Sequence, residues 1–351
     1  MMNYLSDKAR RLTPYTAGMQ PGTGWIKLNT NENPYPVSPR VSEAVKSLNV
    51  DKFRLYPDAT SKELARAIAK TLGVGAENVF CGNGSDEVLA LSFQAFFSGK
   101  DRVMMPDISY GFYPVWSEMY GVNAAFAPIT EDFSINIGDY KGADGVVVAN
   151  PNAPTGIALP LSEIEAMIQS NPNGVVLVDE AYIDFAGVES AVPLIERYEN
   201  LLVVRTFSKS HSLAGLRVGF AVGSRALIEG LERVKDAFNS YPLDAVAQAA
   251  AAAAILDVEY WDETRKRVIA TREKTIERLR ESGFSVLPSQ TNFFLMESEG
   301  AKALYEYLMS QKILVRYWEK PRVDRFLRVS VGTDDEMEAF VQCVKRFWEK
   351  V

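Results

Sequence analysis

Short apolar runs rich in β-branched residues recur along the chain, each ending in a polar turn that is followed by residues at helical spacing. Residues 79–81 lead into Gly82-Asn83-Gly84-Ser85-Asp86-Glu87, residues 103–105 into Pro106-Asp107-Ile108-Ser109-Tyr110-Gly111, and residues 146–149 into Asn150-Pro151-Asn152-Ala153-Pro154-Thr155-Gly156. Residues 175–178 lead into Asp179-Glu180-Ala181-Tyr182, residues 201–206 into Phe207-Ser208-Lys209, and residues 218–222 form a neighbouring run. Such runs predict buried strands. Helices are expected over 40–48, entered through Ser38 and Pro39, and over 61–72, with Leu64, Ala65, Ile68 and Leu72 on one face and Gly73 at the end. Others are expected over 88–97, up to Tyr120, and after Ser162, which with Glu165 spells a capping box. Strands alternating with helices imply an α/β fold, a mostly parallel sheet sandwiched by helices. Polar residues collect where the strands end, the edge at which such sheets bind ligands.

The pattern changes toward the C-terminus. Residues 238–256, with alanine at every position from 249 to 254, predict a helix, and residues 261–283 predict a long amphipathic one that could link two domains. Strands are expected over 284–287, 292–296 and 326–331, with helices between and after, which reads as a smaller α+β domain. The first 40 residues are rich in turn formers and make an arm. The expected organisation is an N-terminal arm (1–35) joining the small domain, a large domain (36–256) and a small C-terminal domain (257–351).

Composition narrows the chemistry. With 351 residues, 47% hydrophobic and 24% charged, the chain is long enough for two domains with a large core. A net charge of −7 and a pI near 5.1 argue against nucleic acid or an anionic membrane as the main partner. Cys81 and Cys343 give neither a disulfide framework nor metal spacing, and the single histidine, His211, excludes a His-rich metal site, so no metal is expected. No signal-peptide core and no apolar run near the roughly 18 residues of a membrane span are present, so a soluble, cytoplasmic protein is expected.

Three turns carry candidate chemistry. Lys209, at the end of a buried strand, is placed for Schiff-base formation, because partial desolvation lowers a lysine's pKa and the Thr206 and Ser208 hydroxyls suit an anion. Arg217, in Gly215-Leu216-Arg217-Val218-Gly219, adds a planar fork suited to phosphate. Gly84, Ser85 and Asp86, between a strand and a helix, offer backbone N–H groups to an anion. Each has an ordinary reading alone: a solvated loop lysine, a surface arginine, a helix cap. Together they suit an aldehyde that bears a phosphate. His211 reads as a structural neighbour of Lys209.

These turns, joined by Leu12-Thr13-Pro14-Tyr15, Leu28-Asn29-Thr30-Asn31-Glu32-Asn33-Pro34, Tyr56-Pro57-Asp58 and Leu327-Arg328-Val329-Ser330-Val331-Gly332, span almost the whole chain. In this order they resemble the motifs of the fold-type I pyridoxal-phosphate-dependent aminotransferases, and within them the histidinol-phosphate aminotransferase family. The resemblance implies pyridoxal 5'-phosphate as cofactor and a homodimer. It implies Lys209 as nucleophile and proton carrier, Asp179 at the pyridine nitrogen, Tyr182 and Asn152 at the 3'-oxygen, and Tyr110 stacked on the ring. Many relatives have asparagine where Ala153 stands, hence the assignment to Asn152. Gly84, Ser85, Asp86, Thr206, Ser208 and Arg217 would hold the phosphate, with Tyr56 reaching it from the partner subunit.

For the substrate, the resemblance implies Arg328 at a carboxylate, with Tyr15, Asn31 and Arg316 as further contacts. Arg316 reads equally well as a surface ion pair. The implied reaction takes an amine and a 2-oxo acid: L-histidinol phosphate and 2-oxoglutarate give imidazole acetol phosphate and glutamate. Alternatives are an aromatic amino acid aminotransferase, a decarboxylase of a phosphorylated amino acid on the same fold, and a cofactor-fold binding module without turnover.

Overall fold

The computed structural model describes residues 4–349. Its arm carries a two-residue strand, β1 (Ile26–Lys27). Seven further strands, β2 (Val79–Gly82), β3 (Val103–Pro106), β4 (Ala124–Ala127), β5 (Gly145–Ala149), β6 (Val175–Asp179), β7 (Leu201–Thr206) and β8 (Gly219–Gly223), build one sheet. They lie in the order β2-β8-β7-β6-β5-β3-β4. The five strands from β7 to β4 in that order are parallel, and β8 runs against both of its neighbours.

The continuous apolar runs of the sequence follow from burial on both faces. Val146, Val148, Val176 and Val178 pack into a core on one face of the sheet, while Val147, Leu177 and Leu202 pack into a second core on the other. All seven side chains are sealed from solvent. Each such burial is worth about 1.5–3 kcal/mol, which ties the sheet's register to this pattern.

A third core belongs to the C-terminal part. Strands β9 (Phe293–Glu297), β10 (Ile313–Leu314), β11 (Arg316–Tyr317) and β12 (Phe326–Ser330) follow the large sheet in the chain. β11, β12 and β9 form an antiparallel sheet, whereas β10 pairs in parallel with β1, Ile26 lying opposite Ile313. Leu28 of the arm, Val268 and Ile276 of the long helix Val258–Glu281, and Phe340 of the last helix share this core. The helix Asp334–Trp348 is fixed at its start by a capping box between Thr333 and Glu336.

Several expectations are corrected. Ser162 caps nothing: its helix, Leu161–Gln169, begins one residue earlier, behind Pro160, and has no side-chain cap. Residues 238–256 are the end of one helix (Arg225–Phe238) and the whole of another (Ala245–Leu256), because Pro242 lies between them and Asp244 starts the second by accepting from the Ala247 N–H. The helix expected over 88–97 begins at Gly84 and passes at Phe93–Phe97 into a π-helical turn. Over 284–287 only a single bridge, Val286 to Met296, forms. β4, alanine-rich and at the sheet edge, has no β-branched signal to reveal it.

Candidate functional site

Register lines up the polar ends of the strands. Ala149 lies opposite Asp179, and Thr206 and Gly82 lie on either side of Gly219. A cavity of about 380 Å³ opens at this edge. Lys209, Asp179, Tyr182, Tyr110, Ser85, Asp86, Thr206, Ser208 and Arg217 all line it, so the structure brings together most of the residues singled out from the sequence.

Lys209 projects from the turn after β7, and its Nζ donates to the Thr30 carbonyl at 3.3 Å and lies 5.7 Å from the Tyr182 ring centre. Burial, aided by the Arg328 charge, pushes its pKa down to about 8 against the opposing pull of Asp86 and Glu32. Asp179 ends β6. One of its oxygens accepts from the Tyr113 hydroxyl at 2.9 Å and the other from the Ala181 N–H at 3.1 Å. Burial raises its pKa to about 6, with these two hydrogen bonds acting the other way. The Tyr182 hydroxyl accepts from Asn31 Nδ2 at 2.9 Å, and burial holds that phenol above its ordinary pKa.

One end of the cavity is an anion cradle. The helix Gly84–Ser92 starts there without a side-chain cap, so its first N–H groups are left to the cavity. Gly84 has φ +82°, and a Cβ there would come 2.7 Å from the Arg217 guanidinium. A Cβ on Gly219 would come 2.2 Å from the Ser85 nitrogen, which is why this position of the Gly-Leu-Arg-Val-Gly stretch has no side chain. Arg217, itself at φ +53°, donates to Asp86 at 3.0 Å and Ser208 at 3.4 Å. Asp86 also accepts from the Tyr110 hydroxyl at 2.7 Å. An arginine, two hydroxyls and a helix N-terminus together are suited to a phosphate.

Other expected residues sit further out. Tyr15 stacks on Phe112 at 4.3 Å and is tilted against Tyr110. Asn31 is buried in the left-handed region at φ 56°, tied to Ser330 and Tyr182. Arg316 and Arg328 are direct cross-strand partners, a repulsive pairing. Arg328 donates to the Asn29 carbonyl at 2.8 Å while its buried Nε has no hydrogen-bond partner among the described residues. Arg316 donates to the Thr16 carbonyl at 3.1 Å, and neither arginine has a carboxylate partner among the described residues. Two unneutralised arginines invite an anionic group.

Two expectations do not meet the cavity. Asn152 is buried with its amide used inside its own turn and the next one, accepting from Ser109 at 2.7 Å and donating to Ile108 and Thr155; Ala153 lines the cavity instead. Tyr56 is 81% exposed and stacks on Tyr241 at 4.6 Å, away from the cavity of its own chain. His211 stacks on Trp261 and shares a hydrogen bond with Ser210, as a structural neighbour of Lys209 would. Sequence reasoning missed Gln20, Thr30 and Glu32, which line the cavity from the arm, and Tyr113 behind Asp179. Thr30 and Glu32 lie within the Asn-rich motif already singled out. Tyr113 has no local signal.

Residues 23–344 match the family described as aminotransferase class I and II. A histidinol-phosphate aminotransferase of Brachyspira hyodysenteriae is 47% identical, covering 98% of this chain and 99% of its own. One of Acinetobacter baumannii is 51% identical, covering 98% and 97%. The crystal structure of histidinol-phosphate aminotransferase from Sinorhizobium meliloti, in complex with pyridoxal-5'-phosphate, shares the fold with a TM-score of 0.83 at 24% identity, covering 92% of this chain and 90% of that one.

Proposed function

The chain belongs to the class I and II aminotransferases, and on that premise we propose that it transfers the amino group of L-histidinol phosphate to 2-oxoglutarate, giving imidazole acetol phosphate and glutamate. The observation that carries this reading is a lysine of lowered pKa and a buried aspartate on one cavity with an anion cradle at its end.

The donor set fits pyridoxal phosphate. The uncapped helix start, the missing Cβ atoms of Gly84 and Gly219, and the Arg217 fork leave a cradle shaped for its phosphate. Ser85 and Asp86 would hold that phosphate through backbone N–H groups, Thr206 and Ser208 through hydroxyls. Asp179 would meet the ring nitrogen, Tyr110 the ring face, Tyr182 the 3'-oxygen and Lys209 the aldehyde carbon. When bound, pyridoxal phosphate supplies an aldehyde for the amino group and a ring that accepts electrons from the substrate's Cα.

The chain's own residues do the rest. With a pKa near 8, Lys209 is neutral in a useful fraction at working pH, so its Nζ can take the proton from Cα and return it on the other side of the reaction. Asp179, with a pKa near 6, is ionised at neutral pH and favours a protonated ring nitrogen. Arg328, with Arg316 across from it, would bind the carboxylate of glutamate or the phosphate of histidinol phosphate in turn. Tyr15 and Phe112, stacked on each other and tilted against Tyr110 at the cavity, offer aromatic faces suited to an imidazole.

Assembly follows the same reading. Tyr56, Phe53, Leu55 and Tyr241 leave apolar surface exposed, which suits a second copy of the chain. In such a homodimer Tyr56 would reach the partner's phosphate cradle. Pairing of β1 with β10 supports an arm (1–35) that joins the small domain (257–351) rather than extending the large domain (36–256). The two buried free cysteines are consistent with work in a reducing cytoplasm.

The deciding experiment is a single-turnover reaction of the cofactor-loaded protein with L-histidinol phosphate, glutamate and phenylalanine separately, the products separated by chromatography. Histidinol phosphate should be consumed fastest and at the lowest concentration. Preferential consumption of phenylalanine would move the assignment to aromatic amino acids, and carbon dioxide release from an added phosphorylated amino acid, with histidinol phosphate left unchanged, to a decarboxylase.

A further inference from the structure

We propose that Tyr113 is a positioning residue for the same chemistry: its hydroxyl holds the Asp179 carboxylate ionised and aimed into the cavity, while its ring braces Tyr110. This rests on the pyridoxal phosphate reading above.

Tyr113 opens the helix Tyr113–Tyr120 and is 1% exposed. Its ring lies near-parallel to Phe93 at 6.1 Å and edge-on to Tyr110 at 5.7 Å and 85°. Phenylalanine would satisfy every one of those ring contacts. The hydroxyl is therefore unnecessary for packing, and burying it would be unfavourable without a partner. That partner is Asp179 Oδ2, at 2.9 Å.

The carboxylate is restrained at both oxygens, by Tyr113 on one and the Ala181 N–H on the other. Rotation about its Cβ–Cγ bond would lose a bond. Charges also act on it: Asp86 pushes its pKa up and Lys209 pulls it down, with the Tyr110 and Tyr182 phenols nearby. Asp86 is in turn engaged by Arg217 and Tyr110. Among these groups Tyr113 is the neutral side-chain donor whose removal leaves every formal charge in place. A donor to the ionised form lowers a carboxyl pKa, so deleting it must raise that pKa.

The test follows the Asp179 carboxyl signal by carbon NMR in full-length, aspartate-labelled protein as pH is varied, first without cofactor and then loaded. The signal is assigned by its absence in Asp179→Asn. In Tyr113→Phe the Asp179 pKa should rise by about one to two units, and in the loaded protein the proton shared with the more basic carboxylate should leave the ring nitrogen of nitrogen-labelled pyridoxal phosphate less protonated at neutral pH than in wild type. kcat should fall while KM for histidinol phosphate holds. Difluorotyrosine incorporated at position 113, a stronger donor of nearly equal volume, should shift Asp179 the opposite way, and carries the test if the phenylalanine variant does not fold. An Asp179 titration within about 0.3 unit of wild type in the folded variant would overturn the proposal. A wild-type protein that neither binds pyridoxal phosphate nor transaminates would sink the function reading alone, since the cofactor-free titration decides the role of the hydroxyl separately.

Discussion

Gly219→Ala should disable the anion cradle without replacing any side chain that binds or reacts. The new Cβ would lie 2.2 Å from the Ser85 nitrogen, 2.4 Å from the Gly84 carbonyl carbon and 2.8 Å from the Ser85 Cα. All three are backbone atoms, so no side chain can swing aside. Reaching an ordinary 3.4 Å contact from 2.2 Å means a displacement of 1.2 Å (3.4 − 2.2). Gly219 is held by strand pairing to Gly82 and Thr206, so the start of the helix Gly84–Ser92 must move. Overpacking of this kind costs about 1–3 kcal/mol of stability. Losing one charge-assisted hydrogen bond from the Ser85 N–H to a phosphate costs about 1.5–3 kcal/mol of binding, or about 10- to 150-fold in affinity. Fluorescence titration of the cofactor-free protein with pyridoxal phosphate, beside thermal unfolding, measures both. Gly22→Ala, where a Cβ meets nothing within 4 Å, is the control. A dissociation constant within twofold of wild type and an unchanged melting temperature would refute the steric reasoning.

Lys209→Ala should retain the fold and lose transamination, and capture of pyridoxal phosphate by the wild-type cofactor-free protein should accelerate as pH rises through about 8, where the amine becomes neutral; a flat pH profile would speak against Lys209 as the nucleophile. His211 is half-buried against Trp261 with its pKa depressed by desolvation to about 4 from 6.5, so stability present above pH 6.5 should be lost as pH falls toward 4, by up to about 3 kcal/mol. Thermal unfolding of His211→Gln against pH should lack that component, and identical acid slopes for variant and wild type would contradict it. For the homodimer, sedimentation should give twice the chain mass, and Tyr56→Phe should weaken cofactor binding several-fold while leaving the dimer intact; a monomer of full activity would remove Tyr56 from the site.

Much of the large sheet was legible because its strands are apolar on both faces, and the residues at their ends fall in short polar turns. Asp179, Thr206, Ser208 and Lys209 were found this way. Helix boundaries were less legible: Ser162 and Glu165 match a capping box, yet Pro160 already presets the helix start, and Pro242 splits an apolar stretch that reads as one helix. The position of Asn152 was not legible because a motif specifies which residues occur in a turn and not which side chain turns inward; there the amide bonds Ser109 and Ile108, and Ala153 lines the cavity.

By itself, then, the sequence determined what is encoded within a few residues: strands, turns, and the chemical types offered at the sheet edge. Only the tertiary structure decided which of them meet. Asn31 reaches Tyr182 across 151 positions, Thr30 meets Lys209 across 179, and Tyr113 meets Asp179 across 66. Those encounters depend on strand order, register and core packing, which sum contacts over the whole chain and leave no trace in any local window.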